Sequence, residues 1–318
     1  MIWRRLRERG VLGINARNAC YTLRWNDRRR YPLVDDKLLT KRLCEESGIP
    51  VPKLLAVAQH HFQLRGLADR LDAHESFVLK PVRGAMGNGI IVVAGRDGED
   101  FVRSDGRILS REAFRYHMAG IISGLYSLAG HADRAMVEER LEVHGDFARI
   151  ATRGVPDVRV IVYRGVPVMA MTRLPTRASG GRANLHQGAV GAGIDLATGR
   201  TTHAILRNSP VRANPDTGLS VEDVPIPHWD RVLEIGVRAT DRTELGYVGA
   251  DVVVDETRGP VVLELNARPG LAVQLANRVG LRLRLDAVDA NAPEKDCLVE
   301  DRIALGLAIA RDERGAAA

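Results

Sequence analysis

Aromatic residues are scarce in this chain: Phe, Trp and Tyr together make up 4% of its 318 residues. An interior so composed must be filled by Val, Leu, Ile and Ala, which suits sheets covered by helices and argues against an aromatic-rich binding surface. Cysteine is scarcer still. Cys20, Cys44 and Cys297 are odd in number, far apart and without CxxC or Cys/His spacing, so neither a disulfide framework nor a zinc site is indicated, and a reducing cytoplasm is the natural compartment. No run of about 18 apolar residues occurs, which argues against a membrane-spanning helix. The basic stretch Met1–Gly10 is not followed by the apolar core of a secretion signal.

What is there describes a folded enzyme of α+β or α/β type. A hydrophobic content of 45% over this length can bury one large core or two to three smaller ones. The formal charge of +6 would suit an acidic partner, but the basic residues are mostly Arg interleaved with acids, and the one dense run is Arg28-Arg29-Arg30. No stacking platform or recognisable nucleic-acid module accompanies the charge, so no nucleic-acid partner is expected. A nucleotide and its phosphates account equally well for convergent Arg and Lys.

Leu38, Leu39 and Leu43 recur at helical spacing between Asp35 and Ser47, and Gly48, Pro50 and Pro52 end that pattern. An extended segment at Lys53–Ala58 and a helix over His60–Leu71 precede a short buried strand, Ser76–Lys80. A loop at Val82–Gly89 leads to a strand at Ile90–Ala94. Ser110 suits the N-cap of a helix running to about Leu128, and Ala135–Val143 reads as a strand that enters a hinge. Asp157–Tyr163 and Val166–Arg173 flank the turn pair Arg164-Gly165, a hairpin signature. A polar loop, Leu174–Gln187, follows. Near the end come a helix over Trp229–Leu245, a strand over Tyr247–Asp255, a turn at Thr257–Pro260 and a strand over Val261–Asn266, the two strands pairing antiparallel. Asp312–Ala318 reads as a frayed tail.

Three constellations carry chemistry. Phe77-Val78-Leu79-Lys80-Pro81 sets a lysine at the end of an apolar strand, just before a loop containing Gly84, Gly87 and Gly89. Phosphate oxygens need a cation at fixed range and backbone N–H groups free to approach, and glycines supply the second. Taken singly, the loop is an ordinary turn that matches neither the P-loop nor the Rossmann pattern, and Lys80 is a surface lysine with its stem on apolar neighbours. Glu264 and Asn266 share one face of their strand, and an antiparallel partner can bring Asp251 beside them. That all-oxygen trio suits magnesium far better than zinc; its bland alternative is a polar strand end facing solvent. Arg159, Arg173 and Arg182 lie on or next to the hairpin, with Asn184 and His186 just beyond, and could hold an anion that gains charge during transfer. Each arginine taken alone is a surface ion-pair member.

In this order and spacing the segments resemble the ATP-grasp superfamily and, within it, the RimK-type alpha-L-glutamate ligase-like proteins. They are Val78-Leu79-Lys80 with its loop, Val137-Glu138-Glu139-Arg140-Leu141, Asp157-Val158-Arg159, Arg182-Ala183-Asn184-Leu185-His186, Gly249-Ala250-Asp251 and Leu263-Glu264-Leu265-Asn266-Ala267-Arg268-Pro269-Gly270. The likeness covers roughly Asp35–Gly280. It implies an α+β ATP-grasp fold, two subdomains gripping ATP between antiparallel sheets, with a short N-terminal segment (1–34) where RimK-type ligases carry a whole domain. The subdomains would span 35–142 and 143–311, with 312–318 as the tail. By the resemblance, Lys80, Lys37, Gly84 and Gly87 serve the nucleotide phosphates, while Glu139 and Arg140 form the adenine-side hinge. Asp157, Arg182, Ala183 and Asn184 contact nucleotide as well. Asp251, Glu264 and Asn266 hold Mg2+, with Mn2+ as the alternative ion, and Arg159, Arg173 and Arg268 hold phosphate or the activated carboxylate. Arg140 departs from the aromatic or aliphatic residue that related proteins often carry there. The implied chemistry joins a carboxylate to an amine through an acyl phosphate, adding glutamate or another amino acid to a small, peptide or protein acceptor. The alternative is a nucleotide-binding scaffold or regulatory protein of the same fold. A homo-oligomer is compatible with either.

Overall fold

The computed structural model describes residues 2–84, 87–127, 130–151, 154–294 and 296–317. Ala85 and Met86 of the glycine-rich loop and Leu128, the expected helix end, lie outside the described residues. The chain forms two compact units, one of Asp36–Leu38 and Pro52–Leu141, the other of Met1–Asp35, Leu39–Val51 and Glu142–Ala318. They are called here the lysine unit and the acidic unit. Together their two antiparallel sheets and covering helices make an α+β fold.

Among the described residues the lysine unit carries six strands: β1 (Leu54–Ala58), β2 (Phe77–Pro81), β3 (Ile91–Asp97), β4 (Asp100–Arg103), β5 (Ile108–Leu109) and β6 (Ala135–Glu139). They lie in the order β1-β6-β2-β3-β4-β5 with antiparallel neighbours. Three of the chain's five phenylalanines meet in its core, with Phe77 edge-on to Phe101 at 5.5 Å and to Phe114 at 5.8 Å. Ser110 caps the helix Arg111–Ile122, its hydroxyl accepting from the Ala113 N–H at 3.1 Å. That helix stops at Ile122, short of the expected Leu128, because Gly124 turns the chain at φ +86° where a Cβ would lie 2.5 Å from the His131 carbonyl oxygen. The strand expected through Val143 ends at Glu139, and a short helix, Gly145–Ile150, follows in the acidic unit.

The acidic unit's sheet comprises β7 (Asp157–Tyr163), β8 (Val166–Leu174), β9 (Val190–Asp195), β10 (Arg200–Leu206), β11 (Ser209–Val211), β12 (Tyr247–Asp255) and β13 (Gly259–Asn266). Its order is β11-β10-β9-β8-β7-β12-β13, again antiparallel. Arg164 and Gly165 adopt φ +51° and +78°, the paired left-handed geometry that matches the twist of a two-residue hairpin. β7 and β12 are buried along their whole length because both faces are covered. Val158, Val160 and Val162 join the core that contains Val232, Leu233 and Ile235 of the helix Trp229–Asp241. Ile161 and Tyr163 point the other way, into a core with Leu281, Leu285 and Val288 of the helix Leu281–Ala290. A closing helix, Val299–Ala317, takes in Asp312.

The N-terminal segment is built into this second core. It runs through a helix at Ile2–Glu8 and a helical stretch at Ile14–Trp25 whose middle, Arg17–Thr22, widens to π geometry. Gln274 closes a two-way bond with the Leu12 backbone, at 2.8 and 3.0 Å. The buried Asn26 amide donates to the Tyr247 and Ala267 carbonyls at 2.8 and 2.9 Å and accepts from the Tyr247 N–H at 2.9 Å. One side chain thus ties the start of β12 to the chain just past β13. Asn26→Ala leaves those buried backbone groups unmatched and is expected to lower the unfolding free energy by about 2–4 kcal/mol in a urea titration, with the m-value unchanged.

Candidate functional site

Sheet register gathers the acidic cluster. Arg173 on β8 stands opposite Asp157 on β7, Arg159 on β7 opposite Asp251 on β12, and Asp251 opposite Glu264 on β13. Period-2 alternation puts Asp157 and Arg159 on the same sheet face as Ile161 and Tyr163, at its polar end.

Arg159 grips Asp251 with both ends of its fork, Nε to Oδ1 at 2.7 Å and Nη2 to Oδ2 at 2.6 Å. Arg173 does the same to Asp157, with Nε donating to Oδ1 at 2.6 Å and Nη2 to Oδ2, and its Nη2 also reaches Asp251 Oδ2 at 2.6 Å. Asp251 is fully buried and Asp157, Arg159 and Arg173 nearly so. Burial alone would raise the Asp251 carboxyl, but Arg159 and Arg173 outweigh it and hold the group below the usual carboxylate range. At Asp157 burial prevails over Arg173, and with Asp251 adding like-charge repulsion the carboxyl is pushed up to about 6.

Glu264, half-buried, comes within hydrogen-bond reach of Asp251. Asn266, also half-buried, spends its Oδ1 on the Arg268 N–H at 3.0 Å. Fully ionised, the three carboxylates against Arg159 and Arg173 leave one surplus negative charge. Adjacent carboxylates with an amide oxygen nearby are the hard donors that magnesium takes, its remaining positions going to water and phosphate. No group of three His, Cys, Asp or Glu side chains among the described residues is placed to hold a metal, so the fit is two carboxylates plus an amide. Both Asp251 oxygens are already engaged by arginine.

Arg268 is exposed, its guanidinium 5.0 Å from the centre of the Tyr31 ring. The loop bearing it is fixed from below by the buried Arg17, which donates to the Pro269 carbonyl at 2.8 Å. Sequence reasoning did not single out Arg17 or Asn26, since nothing local shows a side chain bonding backbone some 250 positions away. Arg182, Ala183 and Asn184 also lie in this unit, outside the cluster. Arg182 is exposed and bonds Gln187 at 3.2 Å, and Asn184 caps a single turn through the His186 N–H at 2.9 Å.

The lysine unit holds the remaining candidates. Lys80 is buried and its ammonium pairs with Glu138, so it is not the surface lysine that the residue alone suggests. Glu138 was passed over in favour of its neighbour Glu139; the available signal was register, since β2 and β6 run antiparallel with Lys80 opposite Met136 and Val78 opposite Glu138. Lys37 donates to the Gly84 carbonyl at 2.7 Å and to that of Val82 at 3.3 Å, propping the glycine loop. Gly84 admits no Cβ, which would fall 2.2 Å from Pro81 Cγ, and Gly87 takes φ +75°. Glu139 closes β6 by accepting the Lys53 N–H at 2.6 Å, and Arg140 follows, exposed.

Residues 16–290 match the family described as sugar-transfer associated ATP-grasp. The chain belongs to that family. The match covers most of the chain and puts it in the ATP-grasp superfamily, whereas the RimK-type likeness is one of motifs. Among solved structures, the ATP-grasp ligase PsnB complexed with a minimal precursor is 18% identical, with 84% of this chain and 62% of that chain covered and a TM-score of 0.43. The D-alanine-D-alanine ligase from Coxiella burnetii is 14% identical over 90% of this chain and 61% of that one, with a TM-score of 0.46. The Bacillus anthracis D-alanine-D-alanine ligase complexed with ATP is 13% identical over 89% and 69%, with a TM-score of 0.42. The chain thus spans about three fifths of the first two. No curated protein matches it. Among the described residues no helix is long and apolar enough to cross a membrane.

Removing the Asp251 charge strands the buried Arg159 guanidinium and takes one contact from Arg173, which keeps Asp157. Asp251→Asn is expected to cost about 3–5 kcal/mol of stability at neutral pH. Because its folded pKa is depressed, the Asp251 contribution is complete above the unfolded carboxylate value near pH 4 and fades as pH falls toward the folded one. Denaturant titrations of both proteins should therefore differ most at pH 7 and begin to approach one another only as pH falls below about 4.

Proposed function

We propose that this protein is a Mg-ATP-dependent carboxylate–amine ligase. The observation that carries the reading is the Asp157–Arg173–Asp251–Arg159 network with Glu264 beside it. A buried, charge-rich face that presents two adjacent carboxylates is suited to a divalent cation carrying nucleotide phosphate. Membership of the ATP-grasp family supports the nucleotide, and the ligases among the similar structures motivate the reaction class.

Lys80, Gly84 and Gly87 would serve the phosphates, with Lys37 holding the loop in shape. Glu139 and Arg140 would offer backbone to the adenine, and Asp157, Arg182, Ala183 and Asn184 would complete the nucleotide contacts. Asp251, Glu264 and Asn266 would hold magnesium, which when bound neutralises phosphate charge; manganese suits the same donors. In the first step a carboxylate oxygen of the substrate attacks the γ-phosphorus and ADP departs, giving an acyl phosphate. In the second an amine nitrogen attacks the acyl carbon, phosphate leaves, and the amine proton passes to water. No side-chain nucleophile is needed. Arg159 and Arg173 are committed to carboxylates and set the field of the site, whereas exposed Arg268 can meet an incoming anion directly. In this reading the acceptor is a small molecule, a peptide or a protein, and the added acid is glutamate or another amino acid. Three free cysteines suit a reducing cytoplasm.

A second reading, a nucleotide-binding scaffold of the same fold, is favoured by one observation: both oxygens of Asp251 are occupied by arginine. It forecasts Mg-ATP binding without ADP formation.

Mass spectrometry after incubation with Mg-ATP, pooled amino acids and cell extract tests the ligase, which forecasts a mass increment on an acceptor and amine-dependent release of ADP and phosphate. Glu264→Gln is expected to reduce that release by at least about a hundredfold while leaving the circular dichroism melt near wild type. Lys80 is better probed by Lys80→Arg than by Lys80→Ala, since alanine takes the ammonium away from the buried Glu138 carboxylate, at a cost of about 3–5 kcal/mol. Undiminished turnover by both Glu264→Gln and Lys80→Arg would sink the site assignment.

A further inference from the structure

Basic and acidic residues look interleaved along the chain, yet their balance is not even. Residues 1–30 hold nine arginines and two acids, Glu8 and Asp27, a net charge of +7; the remaining residues hold 37 basic and 38 acidic side chains, so the whole excess of the +6 chain sits at one end. Arg17 is buried, and the other eight arginines are exposed. Arg4, Arg29 and Arg30 have acidic partners in Glu8, Asp27 and Glu244. Arg5, Arg7, Arg9 and Arg28 form no ion pair among the described residues.

The arginines flank an apolar strip. The helical stretch Ile14–Trp25 buries Arg17, Tyr21 and Thr22, and five of its seven exposed residues are apolar or small: Ile14, Ala16, Ala19, Cys20 and Leu23, beside Asn15 and Arg24. Ile14 is 61% exposed and Leu23 60%, among the larger values for big aliphatic side chains in the protein. The segment is held firmly: the Gly10 carbonyl accepts from the Arg282 N–H at 2.9 Å, and Leu12, Arg17 and Asn26 are bonded as described above. Exposure of the strip therefore belongs to a fixed element.

We propose that residues 1–30 dock the protein peripherally on an anionic lipid bilayer. A basic, apolar, basic order along one segment suits an interface, where guanidiniums meet lipid phosphates while aliphatic side chains enter the boundary of the acyl chains. The net charge of +7 complements a negatively charged leaflet. Nucleic acid is the poorer match, because the exposed large apolar side chains of this stretch, Ile14 and Leu23, are aliphatic and give bases nothing to stack on. This surface is independent of the ligase reading.

Co-sedimentation of the full chain with vesicles decides the matter. The protein is expected to pellet with phosphatidylcholine vesicles containing about one quarter phosphatidylglycerol, to stay in solution with pure phosphatidylcholine, and to dissociate as salt rises from about 50 mM toward 500 mM. Replacing Arg28, Arg29 and Arg30 together by Ser should weaken partitioning by about a hundredfold. Ile14→Ser with Leu23→Ser should weaken it by about tenfold. All five positions are exposed, so thermal melts of the variants should overlay the wild type. No pelleting with the anionic vesicles overturns the proposal. So does binding to heparin or DNA that equals vesicle binding and is indifferent to the Ile14 and Leu23 changes, since a lipid interface requires the apolar strip.

Discussion

The acidic unit depends on keeping charge inside a dry sheet. Asp251 has no exposed surface, and it persists as a carboxylate because Arg159 closes both its oxygens and Arg173 adds a third contact. Two ions are tolerable there only when geometry is good and each lone pair is used. That requirement fixes the registers of β8, β7, β12 and β13 together, because a slip of one residue would send every charged side chain to the opposite face. Glu264 and Asn266 inherit their places from this arrangement, as next neighbours across β12 and β13.

The second constraint is the brace from the N-terminal segment. Asn26 and Arg17 bond the backbone at Tyr247, Ala267 and Pro269, on either side of the strands that carry the candidate metal residues. Stability and site geometry therefore share the same atoms. The outer side of that segment is spared this duty, which leaves its arginines and its two exposed aliphatics available to a partner surface.

Several elements were legible from residue order. The Arg164-Gly165 turn, the Ser110 cap and the pairing of Tyr247–Asp255 with the strand ending at Asn266 all follow from local chemistry. Asp251 could be set near Glu264 because alternation and an antiparallel turn leave little choice. The ion pairs were out of reach, because Lys80 and Glu138 are separated by 57 intervening positions and meet only through strand order. The strands β9 and β10, with their Gly, Ala and Thr, and the three-residue β11 gave no pattern strong enough to announce themselves, and the helix ends at the turn of Gly124, where any Cβ would meet a carbonyl seven positions on.

The amino-acid sequence by itself determined the ATP-grasp superfamily, since motif order along the chain is a one-dimensional property, and it offered candidate side chains whose chemistry suits phosphate and magnesium. Tertiary structure decided their state. It made Lys80 a buried partner of Glu138, tied Arg159 and Arg173 to carboxylates, and left Arg268 exposed. The reason is physical: a charge's behaviour depends on the dielectric and the counter-charges around it, and those are supplied by strands that only the completed sheet brings side by side.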